Sequence, residues 1–201
     1  MQSMQIISLA SSKGGVGKST LAVNLAGALA MRGATTLSDE DATMETSSDW
    51  VTGAKGRIEV KVLSGNQQPP KGTAYWVIDV EGRPALADMI SLAKRSTLLI
   101  PSGANGTELE PTVKLWGRLR EAGADLSKIR VVITKAPPTG SVGQAARDHL
   151  RQLGLNVCTT VVRQYAAHQR AQEQRTLVRD AQDARSENAW ADVVSLAFEI
   201  C

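Results

Sequence analysis

The sequence predicts an α/β fold: a single doubly wound, mostly parallel sheet flanked by helices. Short apolar runs of strand length alternate with longer helical patterns from one end of the chain to the other, the order that covers a parallel sheet on both faces. No linker rich in Pro, Gly or Ser divides the chain, and 201 residues suffice for one proper core, so residues 1–201 are expected to form one domain.

The first strand is expected at 5–10, and the helix after it at 18–32, with Gly33 as its stop. A second strand follows at 35–38. Residues 57–63 are a candidate for an extra short strand, and 66–72, with Pro69-Pro70, read as a loop. Strands at 74–80, 97–101, 129–134 and 156–162 then alternate with helices at 84–94, 110–122, 141–153 and 186–200. In such sheets ligands bind beyond the carboxyl ends of the strands, so chemistry is expected just after Ala10, Ser38, Val80 and Thr134.

Composition excludes several classes. With 42% hydrophobic and 21% charged residues the chain is expected to be a soluble globular protein rather than a disordered one. Aromatic content is only 3%, so the core must be aliphatic. No apolar stretch approaches the length of a membrane span, and Met1-Gln2-Ser3-Met4 leads into a strand-like run without a signal-peptide pattern, which makes the cytoplasm the expected compartment. Cys158 and Cys201 have neither metal-ligand spacing nor the density of a disulfide scaffold. The net charge of +3 suits a polyanionic partner without demanding one.

Immediately after the first strand stands Ser11-Ser12-Lys13-Gly14-Gly15-Val16-Gly17-Lys18-Ser19-Thr20, followed by an apolar helix. Strand, glycine loop and helix come in the order that phosphate binding requires: glycines let successive N–H groups face one anion, and the helix adds the positive end of its dipole. Lys18 can reach the β- and γ-phosphates of a nucleotide, and the Ser19 hydroxyl can ligate Mg2+. Position 12 carries Ser where an ordinary Walker A loop has Gly, and a second lysine, Lys13, stands beside it. This run resembles the deviant Walker A motif of the ParA/MinD family, above all the small ParA-type plasmid partition proteins. The resemblance implies an ATP-dependent homodimer in which Lys13 reaches across the interface to the partner's nucleotide. Residues 13–20 would then bind ATP, with Lys13 and Lys18 counted as catalytic.

Three acids complete the expected site. Asp39-Glu40-Asp41, after the second strand, resembles the second acidic motif of that family, which implies that Asp41 positions the attacking water and that Asp39 supports the Mg2+ shell. Ala42-Thr43 replaces the usual Pro-Gln, while Met44 and Trp50 fit the small plasmid members. Asp79 ends the apolar run Trp76-Val77-Ile78 and resembles a Walker B aspartate holding Mg2+. Glu81 is unusual for the family at the position that follows, and no catalytic role is assigned to it. By likeness to the family, Thr134, Lys135 and Pro137 are the candidate neighbours of an adenine base.

Arg147, Arg151, Arg163, Arg170, Arg175 and Arg179 form a cluster without lysine, interspersed with few acids. Such a cluster can bind phosphates without reading sequence, or can be a solvated face with local ion pairs. His149 and His168 lie in polar sequence and are expected at the surface. The stripe Trp190, Val193, Val194, Ala197 and Ile200 is expected to pack on the sheet, and the acids of that helix argue against a membrane anchor.

The function the resemblance implies is a nucleoid-associated ATPase that dimerises on ATP, binds DNA non-specifically, and segregates plasmid or chromosomal DNA with a centromere-binding, ParB-like adaptor. Two alternatives remain: a related ATPase that positions a protein cluster or microcompartment, and a nucleotide-switched interaction module that does not hydrolyse. An electron carrier of the nitrogenase-reductase kind would need paired cluster cysteines, and Cys158 and Cys201 match neither place.

Overall fold

A computed structural model describes residues 3–41, 46–64 and 67–201. Seven strands are present among them: β1 Gln5–Leu9, β2 Thr35–Asp39, β3 Lys61–Ser64, β4 Tyr75–Asp79, β5 Thr97–Ser102, β6 Ile129–Ala136 and β7 Val157–Arg163. They form one sheet in the order β3-β2-β4-β1-β5-β6-β7, and every neighbouring pair is parallel. β1 is central, with β2 to β4 on one side and β5 to β7 on the other. The strand order therefore reverses at β1, and the crevice beyond its carboxyl end is where such a sheet takes a ligand.

Helices cover both faces: α1 Lys18–Ala30, α2 Thr46–Gly53, α3 Leu86–Arg95, α4 Gly106–Glu121, α5 Val142–Gln152, α6 Ala166–Gln174 and α7 Ser186–Ile200. Side chains alternate across a strand, and this divides the core in two. Ile7, Leu9, Leu37, Val77, Leu99 and Val132 pack with α1, α2, α6 and α7 on one face. Ile78, Leu98, Ile100, Val131 and Ile133 pack with α3, α4 and α5 on the other.

α1 runs through the middle of its layer, and residues 21–29 are all buried. A Cβ at Gly27 would come within 2.4 Å of a Leu177 methyl, so only glycine admits that contact. Asn24 is fully buried there; its side-chain amide donates to the Thr20 carbonyl and its oxygen accepts from the Val178 N–H. Both hydrogen-bonding ends of the amide are satisfied, so a polar group in the core costs little, and it ties the segment after α6 to the loop helix.

The expected strands all form, 57–63 contributing β3 at its end. α4 starts at Gly106, four residues before its expected start, because Pro111 reads locally as a first helical residue yet lies inside the helix. α2 and α6 were not expected. α2 is held at its start by a carboxylate remote from its own pattern: Asp39 accepts from the N–H groups of Ser47 and Ser48. α6 buries only Ala167 and Ala171, one turn apart, too narrow a stripe to register as helical periodicity. The Ala42-Thr43 and Met44 features, and part of the 66–72 loop, lie outside the described residues.

Candidate active site

The loop between β1 and α1 is shaped by its glycines. Gly15 and Gly17 have φ of 78° and 84°, the left-handed region that L side chains avoid. Gly17 is the N-cap of α1 and offers no side chain to the first-turn N–H groups, which leaves them free for an anion. The Ser11 hydroxyl donates to the Lys13 carbonyl at 3.0 Å and folds the loop back on itself.

Behind the loop, Lys18 Nζ sits 2.5 Å from Asp79 Oδ1, with side chains 12% and 2% exposed. Burial raises the pKa of Asp79, against the opposing pull of the Lys18 ammonium and the Ser19 hydroxyl. Lys18, the cation expected at the phosphates, is thus already neutralised by the acid at the end of β4. Ser19 and Asp79, both expected on Mg2+, are brought together. Asp39 and Asp79 lie side by side in register on β2 and β4. Asp39 is buried, and its carboxylate accepts from the N–H groups of Asp41, Ser47 and Ser48 and from the Ser47 hydroxyl. Its oxygens hold the turn from β2 into α2.

Asp41 reaches a different place. It lines a recess of about 430 Å3 together with Lys13, the glycine loop, Lys18, Ser19, Gly82, Arg83 and Lys135. With Lys18 neutralised by Asp79, Lys13, Arg83 and Lys135 still outnumber Asp41, so this wall is net positive. Arg83 was not anticipated; its only signal in the sequence is a basic residue just beyond the end of β4. Glu81 instead lines a neighbouring recess with Glu40, Asp88 and Arg95. Burial raises the pKa of Glu40, partly relieved by Arg95 and reinforced by Glu81.

The residues expected near a base separate. Thr134 is buried beneath the loop, and its hydroxyl donates to the Val16 carbonyl at 2.8 Å, so it supports the loop from below. Lys135, with φ of 52°, lines both the phosphate recess and a narrower one formed by Thr20, Leu21, Val162, Gln164 and His168. Pro137 is exposed and lines neither. His168 corrects the expectation of a surface histidine: both ring nitrogens are buried, with no hydrogen-bond partner among the described residues. Burial lowers its pKa despite the nearby Arg163 carbonyl and Asp192, which favours the neutral ring. The polar sequence around it misled because α6 turns this residue inward, toward β7 and α7.

The six arginines fall in two groups. Arg147 and Arg151, on α5, donate to the Thr159 and Val157 carbonyls of β7, and Arg163 forms a forked pair with Asp192 of α7. Arg170 pairs with Asp183 at 2.7 Å, Arg175 caps α6 and packs over Gly53, and Arg179 lies over the Trp190 ring. Two of the three acids of α7 are spent locally as well. Glu199 accepts from the Thr159 and Thr160 N–H groups, and Asp192 from that of Arg163, which protects the edge of β7. Among the described residues no cluster of three or more His, Cys, Asp or Glu could hold a metal ion, and no helix is long and apolar enough to cross a membrane.

A glycine loop at the central strand, running straight into a buried helix whose first lysine rests on the acid of the adjacent strand, defines a P-loop nucleotide-binding domain. The chain belongs to the CobQ/CobB/MinD/ParA nucleotide-binding family, whose family model matches residues 7–178. It is similar to the maintenance of carboxysome distribution protein A of Gloeobacter kilaueensis, with 27% identity over 98% of this chain and 94% of that one. Its fold is that of a putative plasmid partition protein from Borrelia burgdorferi B31 bound to AMPPNP, with a TM-score of 0.69, 15% identity, and 98% of each chain covered. The septum site-determining protein MinD of Pyrococcus horikoshii OT3, complexed with Mg-ADP, gives a TM-score of 0.71 at 18% identity, covering 98% of this chain and 96% of that one.

Proposed function

We propose that the chain is an ATP-hydrolysing partition protein that dimerises on ATP, holds nucleoid DNA non-specifically in the cytoplasm, and segregates plasmid or chromosomal DNA with a centromere-binding, ParB-like adaptor. The observation that carries this is the pair of lysines in one recess. Asp79 neutralises Lys18 within the chain, while Lys13 lines the recess without an ion pair among the described residues, as a lysine destined for a partner's nucleotide would.

The geometry supports the following steps. The triphosphate lies along the glycine loop, where the free N–H groups of α1 and the helix dipole favour an anion. Lys18 leaves Asp79 for the β- and γ-phosphates, and the vacated carboxylate, with the Ser19 hydroxyl, would hold Mg2+, which supplies further neutralisation of the phosphate charge. Asp41 lines the same recess and orients the attacking water, while Asp39 keeps the turn that carries Asp41 in place. Lys135 stands where phosphate and base recesses meet. Arg147, Arg151, Arg163, Arg170, Arg175 and Arg179 supply the contacts to DNA phosphates, and dimerisation doubles their number on one duplex.

Likeness to the carboxysome-distribution protein favours a second reading, in which the same ATP-driven dimer positions a protein assembly. Light scattering and mobility shifts on two unrelated duplexes, each with ATP and with ADP, test the part common to both readings. An ATP-specific dimer that binds both duplexes alike is expected. Tight binding in ADP, or no dimer in ATP, overturns it. ATPase stimulation by a centromere-bound adaptor rather than by an assembly protein separates the cargoes.

A further inference from the structure

The turn after β4 places a basic side chain in the phosphate recess that neither the glycine loop nor the acidic motif supplies. Val80 is pinned by its N–H to the Leu9 carbonyl, so the end of β4 is fixed beside the start of the glycine loop. Gly82 and Arg83 then line the recess that holds Lys18, Ser19 and Asp41. Arg83 adopts φ of 72°, a left-handed conformation that costs a non-glycine residue about 1–2 kcal/mol. Glycine would take that turn freely.

Its guanidinium is exposed and makes no ion pair or hydrogen bond with the described residues, although Glu40, Asp41 and Glu81 stand on adjoining turns. By contrast Arg147, Arg163, Arg170 and Arg179 all have carboxylate partners. Strain of this kind persists where the surrounding structure imposes it, and it concentrates at ligand clamps. Arginine suits the task, since its planar fork matches phosphate oxygens two at a time.

We propose that Arg83 is a catalytic arginine supplied in cis, its guanidinium contacting the terminal phosphate of the nucleotide in this recess. The inference rests on the reading of the recess as an ATP site. In hydrolysis the water oxygen bonds to the γ-phosphorus, and the bond from that phosphorus to the β–γ bridging oxygen breaks. The electron pair stays on ADP, and the water's proton passes to the released phosphate. Arg83 neutralises charge on the γ-oxygens as they separate, from the β4 side of a pocket whose other cations come from the glycine loop and β6.

The test compares Arg83→Ala, Arg83→Gly and Arg83→Lys with the parent, in turnover and in calorimetric affinity for ADP and AMPPNP with Mg2+. Alanine and glycine should each lower turnover by at least ~100-fold, the scale of losing one such electrostatic contact. AMPPNP affinity should fall about tenfold while ADP affinity stays within about twofold, because ADP lacks the phosphate concerned. Lysine should recover part of the rate as a point charge. Glycine takes the left-handed turn without strain and keeps the test valid if the alanine protein is unstable. Turnover within about threefold of the parent, or equal loss for ADP and AMPPNP, overturns the inference alone. A parent that binds no ATP overturns the ATP-site reading and the inference with it.

Discussion

Replacing Asp79 by Asn removes the charge that holds Lys18 back from a phosphate. The pair is 2.5 Å long, with side chains 12% and 2% exposed, so it is a charge-assisted contact in a nearly dry place, worth about 1.5–3 kcal/mol. A phosphate must break it to engage Lys18. The low end of that range applies, because Lys18 retains some solvent and because the site already disfavours a carboxylate, burial having raised the pKa of Asp79. About 1.4 kcal/mol is a factor of ten in affinity. In EDTA the Asn variant should therefore bind ADP about tenfold more tightly than the parent. Loss of the carboxylate's repulsion of the phosphates acts in the same direction. With Mg2+ the advantage should vanish, since Asn is a poor substitute where a carboxylate holds the ion. Calorimetry in EDTA and in Mg2+ gives both numbers, and a melting curve confirms the fold. Equal or weaker binding in EDTA by a folded variant would refute the idea that Asp79 competes with nucleotide for Lys18.

Asp41→Ala should bind ATP, fail to hydrolyse it and accumulate as dimer, whereas Lys13→Ala should bind ATP as a monomer; identical light-scattering profiles would show that the two residues do not divide the work. Replacing Arg170, Arg175 and Arg179 together by Ala should weaken DNA binding on any sequence and flatten its salt slope by roughly one unit per lost phosphate contact, with ATP-driven dimerisation intact; mobility shifts at several salt concentrations read this, and an unchanged slope removes these arginines from the interface. Glu199→Gln weakens the cover on the β7 edge at a cost of about 1 kcal/mol near pH 7. Burial alone would raise the pKa of Glu199, but the N–H groups of Thr159 and Thr160 outweigh it and lower it below 4.5. A lowered carboxylate stabilises above its unfolded value and loses that contribution as pH falls through the folded one. The gap between parent and variant in urea unfolding should accordingly narrow below pH 4.5, and a gap that widens there contradicts the assignment.

The phosphate loop was legible because its physics is local. Glycines at 15 and 17, a lysine and a serine opening a helix, and an apolar strand just before them are contiguous, and each does in the fold what its residue type permits. Four of the six expected strands, β1, β4, β5 and β6, were legible for a related reason: a parallel strand covered on both faces is a mostly apolar run, whereas β2, buried throughout, carries Leu37 among threonines, Ser38 and Asp39. Helices fared less well where stability comes from elsewhere. α2 is held by Asp39, reaching from the end of β2, and α6 needs only two buried alanines.

The sequence located residue types near the site more readily than it showed their partners. Sequence placed Asp39, Asp41 and Asp79 at strand ends, which is as far as a strand pattern reaches. Pairing β2 with β4 brought Asp39 and Asp79 into register, and packing then gave Asp39 four donors and gave Asp79 the Lys18 ammonium, 61 residues away along the chain. The inward turn of His168 and the exposure of Pro137 were settled in the same way. So was the entry of Arg83 into the recess, since a left-handed turn after β4 aims that side chain and no pattern of residue types encodes it. The sequence by itself determined that a phosphate loop would follow the first strand, because the loop needs only its own backbone, while the central place of that strand came from the strand order. Which acid meets which cation was decided by strand order and burial, because a charge's partner is set by distance in space.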